Sequence, residues 1–444
     1  MPISQTGARM DTEADDYLNE WREVPLTFVA DIRFSSVNKV SQPGEEPVRL
    51  CNYTDVYNND YVTADMDFMR ATATKSEIER FGLQIGDVII TKDSETPDDI
   101  GIPTVVDTTA PDLVCGYHLA LLRPNQDEVD PTFLAKQLAH HRIARYFGQQ
   151  ANGTTRYGLS TAAISNAPLH LPRPESQRSA SALMRMVDVQ ISQTEAVIAK
   201  LKKVRAGMLH DLLNYGLDEH GQLRDPIAHP EQFQDSPLGL IPREWDIFEI
   251  STVGEIVTGR TPPASEPGSW GMEIPFITPG EITTDGTVLP PERLISAHGR
   301  NFTRELPAYS VLVVCIGSTL GKVAVAPWPC VTNQQINAII CKADYQHDFV
   351  SAMVNHHIRQ LHRWAGLQAV PIVNKSQFGR MLIPVAPPAE QVQIAETLQR
   401  GASSILSEID ECKKLMNFKY GFQDDLLTGL VRVPETIMEG AENA

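Results

Sequence analysis

A phosphate-binding loop is the first chemistry that the sequence suggests, because residues 317–322 read GSTLGK. A loop that holds nucleotide phosphates needs four residues between its glycines, and a Ser or Thr after the lysine to bind magnesium. Here three residues separate the glycines, and Val323 follows Lys322. The spacing therefore disfavours a nucleotide site. The sequence also has no Gly-rich fingerprint after a strand, no Asn or Asp before Pro-Pro-Tyr, and no GxSxG.

Metal and thiol chemistry are no better supported. His356, His357 and His362 lie in a helical pattern that lacks further zinc ligands, so a helix surface is the first interpretation and DNA contact the second. Glu411 and Lys413 resemble the end of a nuclease motif, but their long helical pattern favours a solvated charge pair. Six cysteines without a CxxC pair indicate reduced thiols. They are Cys51, Cys115, Cys315, Cys330, Cys341 and Cys412. We expect a chain that is not an enzyme and holds no metal or cofactor.

The composition is that of a folded protein with several domains. The 444 residues exceed one ordinary core, and 42% hydrophobic against 21% charged residues is a globular balance. No signal peptide is evident, and the most hydrophobic run, residues 311–316, is too short to cross a bilayer, so we expect a cytoplasmic protein without membrane contact. The net charge of −18 disfavours indiscriminate binding to phosphates.

The strongest pattern in the sequence is a duplication. Residues 200–213 read KLKKVRAGMLHDLL, and residues 414–427 read KLMNFKYGFQDDLL. Adding 214 to a residue number converts the first copy into the second without a gap. The matched pairs include Pro174 with Pro388 and Gln177 with Gln391. Self-similarity on this scale predicts an architecture that is built twice.

Each copy predicts one long helix of a coiled coil. The helices should begin near Ser176 and Ala389, just after proline-rich residues. From there, mainly apolar residues recur alternately four and three positions apart, which is typical of a coiled-coil seam. The central seam residues are Ile191, Thr194, Ile198, Leu201, Arg205, Met208, Ile405, Glu408, Cys412, Leu415, Lys419 and Phe422. Two ordinary core helices are the alternative, and the polar defects shared by the two seams favour the coiled coil.

The register of this antiparallel pair is a separate hypothesis. If the numbers of paired residues add to 613, Arg205 lies beside Glu408 and Thr194 lies beside Lys419, so the seam arginine has a carboxylate partner. A shift by one heptad would instead set Arg205 against Leu415 or Gly401. We therefore favour the sum of 613.

A segment of mixed strand and helix character precedes each long helix. Both segments begin alike, since Trp21, Leu26, Val29 and Ile32 have the spacing of Trp245, Ile250, Val253 and Ile256. Short β-rich runs follow at residues 48–56, 86–92 and 114–122 and at residues 274–282, 310–317 and 336–342. Helical patterns come next, at residues 131–146 and 348–364. Through most of these segments we find no fixed register that relates one to the other.

The predicted fold class is therefore α/β, in the sense of mixed α+β, with an internal pseudo-two-fold duplication. Two domains are separated by an antiparallel coiled coil of two long helices. The predicted boundaries are an N-terminal extension at 1–20, a first domain at 21–172, a first helix at 173–215, a linker at 216–240, a second domain at 241–386, a second helix at 387–429 and a tail at 430–444.

Two different domains on a rigid spacer suggest a reader of two separated sites on a regular polymer. A helix of nearly forty residues reaches roughly 55 Å at about 1.5 Å per residue. One turn of duplex DNA spans about 34–36 Å. Because the two domains differ, we expect two unlike half-sites.

The sequence resembles the specificity (S) subunit of Type I restriction-modification systems. The resemblance is carried by residues 191–224, ISQTEAVIAKLKKVRAGMLHDLLNYGLDEHGQLR, the following SPLGLIPREW, the PPAEQ helix start and the closing DDLLTGLVRV. NYTDVYNNDYV and TKDSETPDDIGIP in the first domain add to it. These strings span nearly the whole chain.

The resemblance implies two target-recognition domains that read a bipartite asymmetric sequence in double-stranded DNA. It also implies two partner modification subunits, which carry S-adenosylmethionine and methylate adenine, and leaves open two ATP- and magnesium-dependent restriction subunits. The chain itself then does no chemistry. Met416 and Asn417 depart from the basic pattern usual in the family. A coiled-coil adaptor that reads no DNA and a self-contained nuclease or methyltransferase remain the alternatives.

Loop residues whose side chains read base edges or contact phosphates are the candidates for DNA binding. In the first domain they are Asn52, Tyr53, Tyr57, Asn58, Lys92, Ser94, Thr96, Thr155, Arg156 and Tyr157. In the second domain they are Arg260, Thr261, Ser318, Thr319, Lys322, Asn333, Gln334, Gln335 and Asn374. A turn or a structural hydrogen bond is an equally good interpretation of any single one.

Overall fold

The computed structural model describes residues 21–366 and 370–433, which form two compact units. Unit 1 contains the described residues up to Glu195 and those from Asp410 onward, and unit 2 is Ala196–Ile409. The division falls inside both long helices, at positions 214 residues apart. The predicted N-terminal extension and residues 434–444 of the predicted tail lie outside the described residues. No described helix is long and apolar enough to cross a membrane.

Unit 1 has short strands and helices ahead of a long helix. Its strands are β1 (Arg22–Pro25), β2 (Ala30–Phe34), β3 (Glu46–Cys51), β4 (Tyr61–Val62), β5 (Met69–Ala73), β6 (Val88–Thr91), β7 (Asp93–Ser94), β8 (Pro103–Val106), β9 (Leu113–Cys115), β10 (Leu119–Pro124), β11 (Tyr157–Gly158) and β12 (Pro168–Leu171). Its helices are α1 (Leu26–Val29), α2 (Tyr53–Tyr57), α3 (Lys75–Phe81), α4 (Pro131–Ala139), α5 (His141–Gln150) and α6 (Thr161–Ser165), and the long α7 (Pro174–Tyr215) begins here.

Unit 2 repeats this plan. Its strands are β13 (Phe233–Ser236), β14 (Gly239–Pro242), β15 (Asp246–Glu249), β16 (Gly254–Thr258), β17 (Trp270–Gly271), β18 (Ile274–Ile277), β19 (Leu294–Ile295), β20 (Val311–Val314), β21 (Val323–Val325), β22 (Val331–Thr332), β23 (Ile336–Cys341) and β24 (Leu382–Val385). Its helices are α8 (Ile250–Val253), α9 (His347–His356), α10 (Arg359–Ala365) and α11 (Lys375–Gly379), and the long α12 (Pro388–Thr428) begins here. Short 3-10 turns lie at Pro230–Gln232, Pro267–Ser269 and Gly299–Phe302.

The central sheets of the two units have the same strand order. Unit 1 has β2-β10-β6-β8-β4, and unit 2 has β16-β23-β20-β21. In both units a helix packs on the sheet, α4 on β8 and α9 on β21. Each unit then adds a second sheet of its own, the three-stranded β5-β3-β9 in unit 1 and the four-stranded β17-β19-β18-β22 in unit 2. The sequence showed no register across these segments because the shared strands are joined by loops of different length.

The tryptophan signal that begins each domain marks an identical arrangement. Trp21 precedes β1, α1 and β2, and Trp245 precedes β15, α8 and β16. The first strand pairs antiparallel with the last strand before the long helix, β1 with β12 and β15 with β24. Both tryptophans are buried with the apolar residues of the short helix, so the shared spacing reflects two equivalent cores.

Several predicted elements differ in their type or extent. The run 48–56 is only partly a strand, because β3 ends at Cys51 and Asn52 starts α2 by capping with Asp55. The helical pattern at 131–146 is two helices, since His140 has extended backbone angles between α4 and α5. The pattern at 348–364 also divides into two helices, α9 and α10, around His357 and Ile358. An apolar pattern shows neither these breaks nor the capping hydrogen bond that starts α2.

A buried glutamine joins the start of α7 to the neighbouring helix of unit 1. The Gln177 amide nitrogen donates to the carbonyls of Pro172, at 2.9 Å, and Glu128, at 3.2 Å. Its oxygen accepts from the backbone N–H of Asp130, the N-cap of α4, at 3.0 Å. One side chain therefore satisfies three backbone groups that have no other partner in regular structure.

Gln391 makes the same three contacts at the start of α12. Its nitrogen donates to the carbonyls of Ala386, at 2.8 Å, and Asp344, at 3.3 Å, and its oxygen accepts from the N–H of Gln346, the N-cap of α9, at 2.9 Å. Both glutamines are fully buried. The matched pair found in the sequence is thus one structural joint that is used twice.

Each unit contains an antiparallel pair of long-helix segments. The N-terminal part of α7 runs against the C-terminal part of α12 in unit 1, and the remaining parts pair in unit 2. All twelve predicted seam residues are buried or half-buried, whereas Lys202, Lys203, Lys413 and Lys414 between them are exposed. The helices begin at Pro174 and Pro388, one or two residues before the predicted starts.

The predicted register is wrong by one heptad. In unit 1 the ammonium of Lys419 lies 2.8 Å from the Asp188 carboxylate, so their residue numbers add to 607. In unit 2 a Cβ on Gly401 would lie 3.9 Å from Cγ of Arg205, a pair that adds to 606. Sums of 606 and 613 both set seam residues opposite seam residues, so the heptad pattern alone does not distinguish the two registers. In the observed register Arg205 lies beside Gly401, and the expected pairing of Arg205 with Glu408 does not form.

The polar seam residues find their partners outside the seam. Lys419 contacts Asp188 and also Asp60 at 2.8 Å, and Lys136 contacts the same two carboxylates at 2.8 and 2.9 Å. Although burial opposes the effect, the two ammonium groups lower the pKa of Asp60 to about 2. Thr194 donates its hydroxyl to the carbonyl of Gln190 in its own helix. Such off-seam partners are invisible in a heptad pattern.

The predicted linker at 216–240 is a folded part of unit 2. β13 and β14 form a hairpin in which Phe233, paired with Pro242, is buried. Tyr215 at the end of α7 packs edge-on against the Phe233 ring. Prolines and glycines in this segment shape turns, and the prediction of a linker mistook turns for an extended connection.

Glu390 is a buried hub that fixes this segment to α12. Its carboxylate accepts from the N–H of Leu217 at 2.7 Å, from the Arg224 guanidinium at 2.7 Å and from the Trp245 indole at 3.1 Å. Gly216 ends α7 with a φ of +65°, and a Cβ there would lie 2.3 Å from the Glu390 carboxylate. The close approach therefore requires glycine.

Replacing either joint glutamine should destabilise the protein. Gln391→Met or Gln177→Met leaves one buried N–H and two carbonyls without partners, at a cost of about 1–3 kcal/mol in the free energy of unfolding. Urea unfolding followed by circular dichroism measures this loss. Gln399→Met, at an exposed position of α12, is the control and should change the unfolding free energy by less than about 0.5 kcal/mol. Equal effects at the three positions would contradict the structural role.

Replacing Lys419 and Arg205, the cations at equivalent seam positions, by methionine should change the free energy of unfolding differently. Lys419→Met leaves Asp60 and Asp188 with Lys136 alone and should cost about 1–2 kcal/mol. Arg205 lies 214 residues earlier, and its buried Nε has no hydrogen-bond partner among the described residues. Arg205→Met should therefore be neutral or stabilising.

The effect of Lys419→Met should also depend on pH. Asp60 has its pKa lowered from 3.8 to about 2 by folding, so its contribution is complete above about pH 4 and is lost as the pH falls towards 2. The difference in unfolding free energy between Lys419→Met and the wild type should narrow over that range. A difference that stays constant from pH 6 to pH 2.5 would contradict the carboxylate pairing.

Candidate nucleic-acid interface

Two loops of unit 1 are joined by the short strands β7 and β11. Ser94 pairs with Tyr157, and Asp93 pairs with Gly158. The turn before β11 uses Gly153, whose φ is +150° and where a Cβ would lie 2.0 Å from the Arg156 carbonyl. The strand pair brings Lys92, Ser94, Arg156 and Tyr157 together, although more than sixty residues separate the two loops.

Asp93 organises the charged side chains of this region. Its carboxylate accepts from the Arg156 guanidinium at 2.8 Å and contacts Nδ1 of His118 at 2.8 Å. The Arg156 side chain remains 61% exposed, and apart from Asp93 and a 3.5 Å approach to Nδ1 of His118 its N–H groups have no hydrogen-bond acceptor among the described residues. The sequence analysis did not select Asp93 or His118 as site residues. Asp93 lies in the TKDSETPDDIGIP string that carries part of the resemblance, whereas His118 lies in no motif.

The tyrosines of α2 lie on the same side of unit 1. Tyr53 and Tyr57 stack with ring centroids 5.5 Å apart, and the Tyr57 hydroxyl donates to Asp99 at 2.8 Å. This hydrogen bond raises the pKa of Tyr57. Burial raises the pKa of Tyr53, which also bonds to Ser94 and senses the charge of Asp93. Both phenols are therefore neutral donors at physiological pH.

A cation–π contact between Lys92 and Tyr117 lies next to these side chains. The Lys92 ammonium lies 4.7 Å from the ring centre of Tyr117, which is half exposed. The exposed ring faces, hydroxyls and guanidinium can stack on bases and donate to phosphates or base edges. We call Tyr53, Tyr57, Lys92, Arg156 and Tyr117, with the orienting Asp93, the first polar cluster.

In unit 2 the loop after β16 lies against the loop between β22 and β23. A Cβ on Gly259 would lie 2.1 Å from the Asn333 carbonyl, so only glycine permits this contact. The Arg260 N–H donates to the Thr332 carbonyl, and the Thr261 hydroxyl donates to the side-chain oxygen of Gln334 at 2.9 Å. The two loops therefore act as one surface.

Arg260 is the exposed cation of this surface. Its guanidinium has no hydrogen-bond or ion-pair partner among the described residues, and Gln334 and Ser318 are exposed as well. We call Arg260, Thr261, Gln334 and Ser318 the second polar cluster. Its side chains differ in type and order from those of the first cluster.

Four candidates in unit 2 have structural roles that the sequence did not distinguish. Lys322 donates to the carbonyls of Ile282 and Pro279 at 2.6 and 3.2 Å, so the GSTLGK segment directs its lysine inward. Asn333 is buried and donates to Gln335, whose own nitrogen donates to the Ile316 carbonyl. Asn374 caps α11. Backbone groups occupy these amides and this ammonium, so they are not offered to a ligand.

The remaining candidates divide between exposed loops and structural positions. Asn52 is the N-cap of α2, and Ser94 is buried. Asn58, Thr96 and Thr155 are exposed near the first cluster, and Thr319 is half-buried beside Ser318. The same residue types cap helices and read bases, so composition alone could not separate the two uses.

Known proteins resemble the chain in sequence and in fold. Residues 242–411 match the model of the Type I restriction modification DNA specificity domain. The putative type I restriction enzyme MjaX specificity subunit of Methanocaldococcus jannaschii is 23% identical over 365 residues, which are 81% of each chain. The HindI specificity subunit of Haemophilus influenzae is 23% identical over 385 residues, 75% of this chain and 82% of that one.

In sequence the chain is thus similar to the specificity subunits of Type I restriction-modification systems. The solved S subunit of M. genitalium matches with a TM-score of 0.56 at 12% identity, over 92% of this chain and 96% of that one. A chain from a structure of the type I R-M system matches with a TM-score of 0.52 at 16% identity, over 92% and 97%. The mixed α/β fold with its long helices is thus that of these solved structures, and the relatives are named as specificity subunits.

Replacing Lys322, whose ammonium points into the protein, should affect stability more than replacing the exposed Arg260. Lys322→Met should lower the free energy of unfolding by about 1–3 kcal/mol, because two buried carbonyls lose their donor. Arg260→Met should change it by less than about 0.5 kcal/mol, since Arg260 contacts no other side chain. Urea unfolding compares the two variants, and a stability loss at Arg260 that equals the loss at Lys322 would refute the assignment.

Proposed function

We propose that this chain is the DNA sequence-recognition and scaffold subunit of a Type I restriction-modification complex, and that it reads an asymmetric target in two parts. One observation carries the proposal: the same sheet topology occurs twice and bears two different polar clusters. A shared frame with unlike exposed side chains is what reading two different half-sites requires. In this proposal the first polar cluster, with its stacked tyrosines and Arg156, reads one half-site. The second polar cluster, with Arg260 and Gln334, reads the other half-site.

Arginine and amide side chains read base edges in pairs of hydrogen bonds, and arginine prefers guanine. Arg156 is oriented by Asp93 yet retains free N–H groups, a combination that limits the entropy lost on binding. A purely structural adaptor has no need for such a group on an exposed surface. The polar clusters therefore favour DNA reading over a protein-only scaffold.

The net charge of −18 constrains how the DNA is held. A protein that clamps a duplex alone neutralises several phosphates, and each polar cluster here offers only one or two cations. We infer that partner subunits supply most of the positive surface. The partners would be two modification subunits that bind S-adenosylmethionine and methylate adenine, joined in a restricting complex by two subunits that use ATP and magnesium, in the cytoplasm.

Methylome sequencing tests the proposal. Native DNA from cells that carry the system should show methylated adenine in a motif of two defined parts around an unread gap, and deletion of this chain should abolish that methylation. A methylation pattern that is unchanged by the deletion would refute the proposed function.

Variants assign the two halves of the motif. Arg156→Ala should relax one base position in one half, and Arg260→Ala should relax a position in the other half, each by about 1–3 kcal/mol of discrimination. Arg145→Ala removes the same charge from an exposed helix position in unit 1 and should leave the motif unchanged. Effects of Arg156→Ala and Arg260→Ala on the same half, or an equal effect of Arg145→Ala, would contradict the assignment.

A further inference from the structure

Two adjacent histidines and an aspartate converge in unit 1, away from the polar cluster. His140 follows α4 as its C-cap and His141 begins α5, and Asp424 lies beside them on α12. The distance from Nε2 of His140 to Oδ1 of Asp424 is 2.9 Å, and that from Nδ1 of His141 is 3.6 Å. One ligand atom from each residue lies within 4.8 Å of the others. Three potential ligands therefore surround one point.

Their spacing suits a tetrahedral metal ion. Zinc binds imidazole nitrogen and carboxylate oxygen at about 2.0–2.2 Å, which places neighbouring ligand atoms roughly 3.3–3.5 Å apart. The separations of 2.9 and 3.6 Å lie on either side of this value. Side-chain rotations that bring the two imidazole nitrogens, which lie within 4.8 Å of each other, to this spacing would complete three bonds, and solvent would supply the fourth.

The surroundings hold one ligand firmly and leave the others accessible. The His140 side chain is only 7% exposed, whereas His141 is 64% and Asp424 is 48% exposed. Gln423 lines the same pocket, and its buried side-chain nitrogen has no acceptor among the described residues. A metal-bound water or anion is an acceptor of the kind that it lacks.

Unit 2 repeats the frame without the carboxylate. His356 and His357 lie at the junction of α9 and α10, as His140 and His141 lie at the junction of α4 and α5. His210 occupies the position equivalent to Asp424, 214 residues earlier, but the His210 and His356 rings are 6.3 Å apart. Asn214 lies between them and contacts both. The duplicated frame thus places two histidines near a helix in each unit, and only Asp424 makes the ligands converge.

We propose that His140, His141 and Asp424 bind one divalent transition-metal ion of the zinc type. The ion joins α12 to the junction of α4 and α5 and so ties the end of the chain to the domain of unit 1. Nitrogen and oxygen ligands without thiolate favour zinc, nickel or copper over magnesium or calcium. The ion is structural, and the proposal is independent of DNA reading.

Zinc titration of the full-length chain by calorimetry tests this site. We expect one equivalent of zinc per chain, and a rise in the unfolding temperature with zinc but not with magnesium. Cobalt(II) should give the intense visible absorption of a tetrahedral site. His141→Gln and Asp424→Asn should each weaken zinc binding about tenfold or more. If Asp424→Asn fails to fold, His141→Gln still tests the site, because His141 is exposed and its replacement should not disturb the fold.

Two matched variants are the controls. His220→Gln removes an exposed histidine of unit 2, and Asp425→Asn alters the residue next to Asp424. Both should bind zinc like the wild type. Absence of stoichiometric zinc binding would overturn the proposal. Binding that survives both His141→Gln and Asp424→Asn would also overturn it, because zinc would then occupy other histidines or the cysteines.

Discussion

The burial of an apolar seam between helices from opposite copies of the duplication is the constraint on which the structure depends. The core of unit 1 includes Leu426 and Leu427, which lie at the end of the second copy. The core of unit 2 includes Leu212 and Leu213, which lie at the end of the first copy. Each domain therefore completes its core with a helix end from the other half of the sequence. Neither half of the chain can fold as an independent domain without leaving apolar surface exposed.

The seam also shows where a heptad pattern stops being informative. The hypothesis placed Arg205 beside Glu408 to give the seam arginine a carboxylate partner, and it was wrong by one heptad. Registers one heptad apart both set seam residues opposite seam residues, so the spacing alone does not choose between them. In the structure Lys419 finds its carboxylates at Asp60 and Asp188, outside the seam. Arg205 lies beside Gly401, where the missing side chain leaves room for its methylene groups.

Periodic features of the sequence were predictable, and local exceptions were not. The duplication, the long helices and the domain starts at Trp21 and Trp245 follow from spacing, which chain geometry fixes. The helix at Tyr53–Tyr57 was missed because a capping box outweighs a β-rich run. The packed segment after Gly216 was missed because Glu390, the carboxylate that holds it, has Ser176 as its counterpart in the first copy and so carried no signal.

The candidate site could be predicted from the sequence only for side chains that do not hydrogen-bond to backbone groups of the protein. Arg156 and Arg260 follow from residue type alone, because an arginine in a polar loop is costly to bury and remains exposed. Asn333, Gln335, Asn374 and Lys322 have the same chemistry as base-reading residues, yet backbone groups use them. Whether an amide is free depends on which carbonyls lie nearby, and this information exists only in the fold.

A division between joint and surface explains how one scaffold can carry different specificities. The joint consists of the buried glutamines Gln177 and Gln391 and the helix seam, and none of these side chains is in contact with the polar clusters of its own unit. The clusters lie on loops such as those at Gly153 and Gly259, whose shapes depend on backbone conformation. Substitutions at exposed cluster residues therefore leave the buried hydrogen bonds intact and have small effects on stability. A change at the joint has the opposite consequence, because it leaves backbone groups unsatisfied in a core that both copies build. The fold thus separates the residues that can vary with the target from those that cannot.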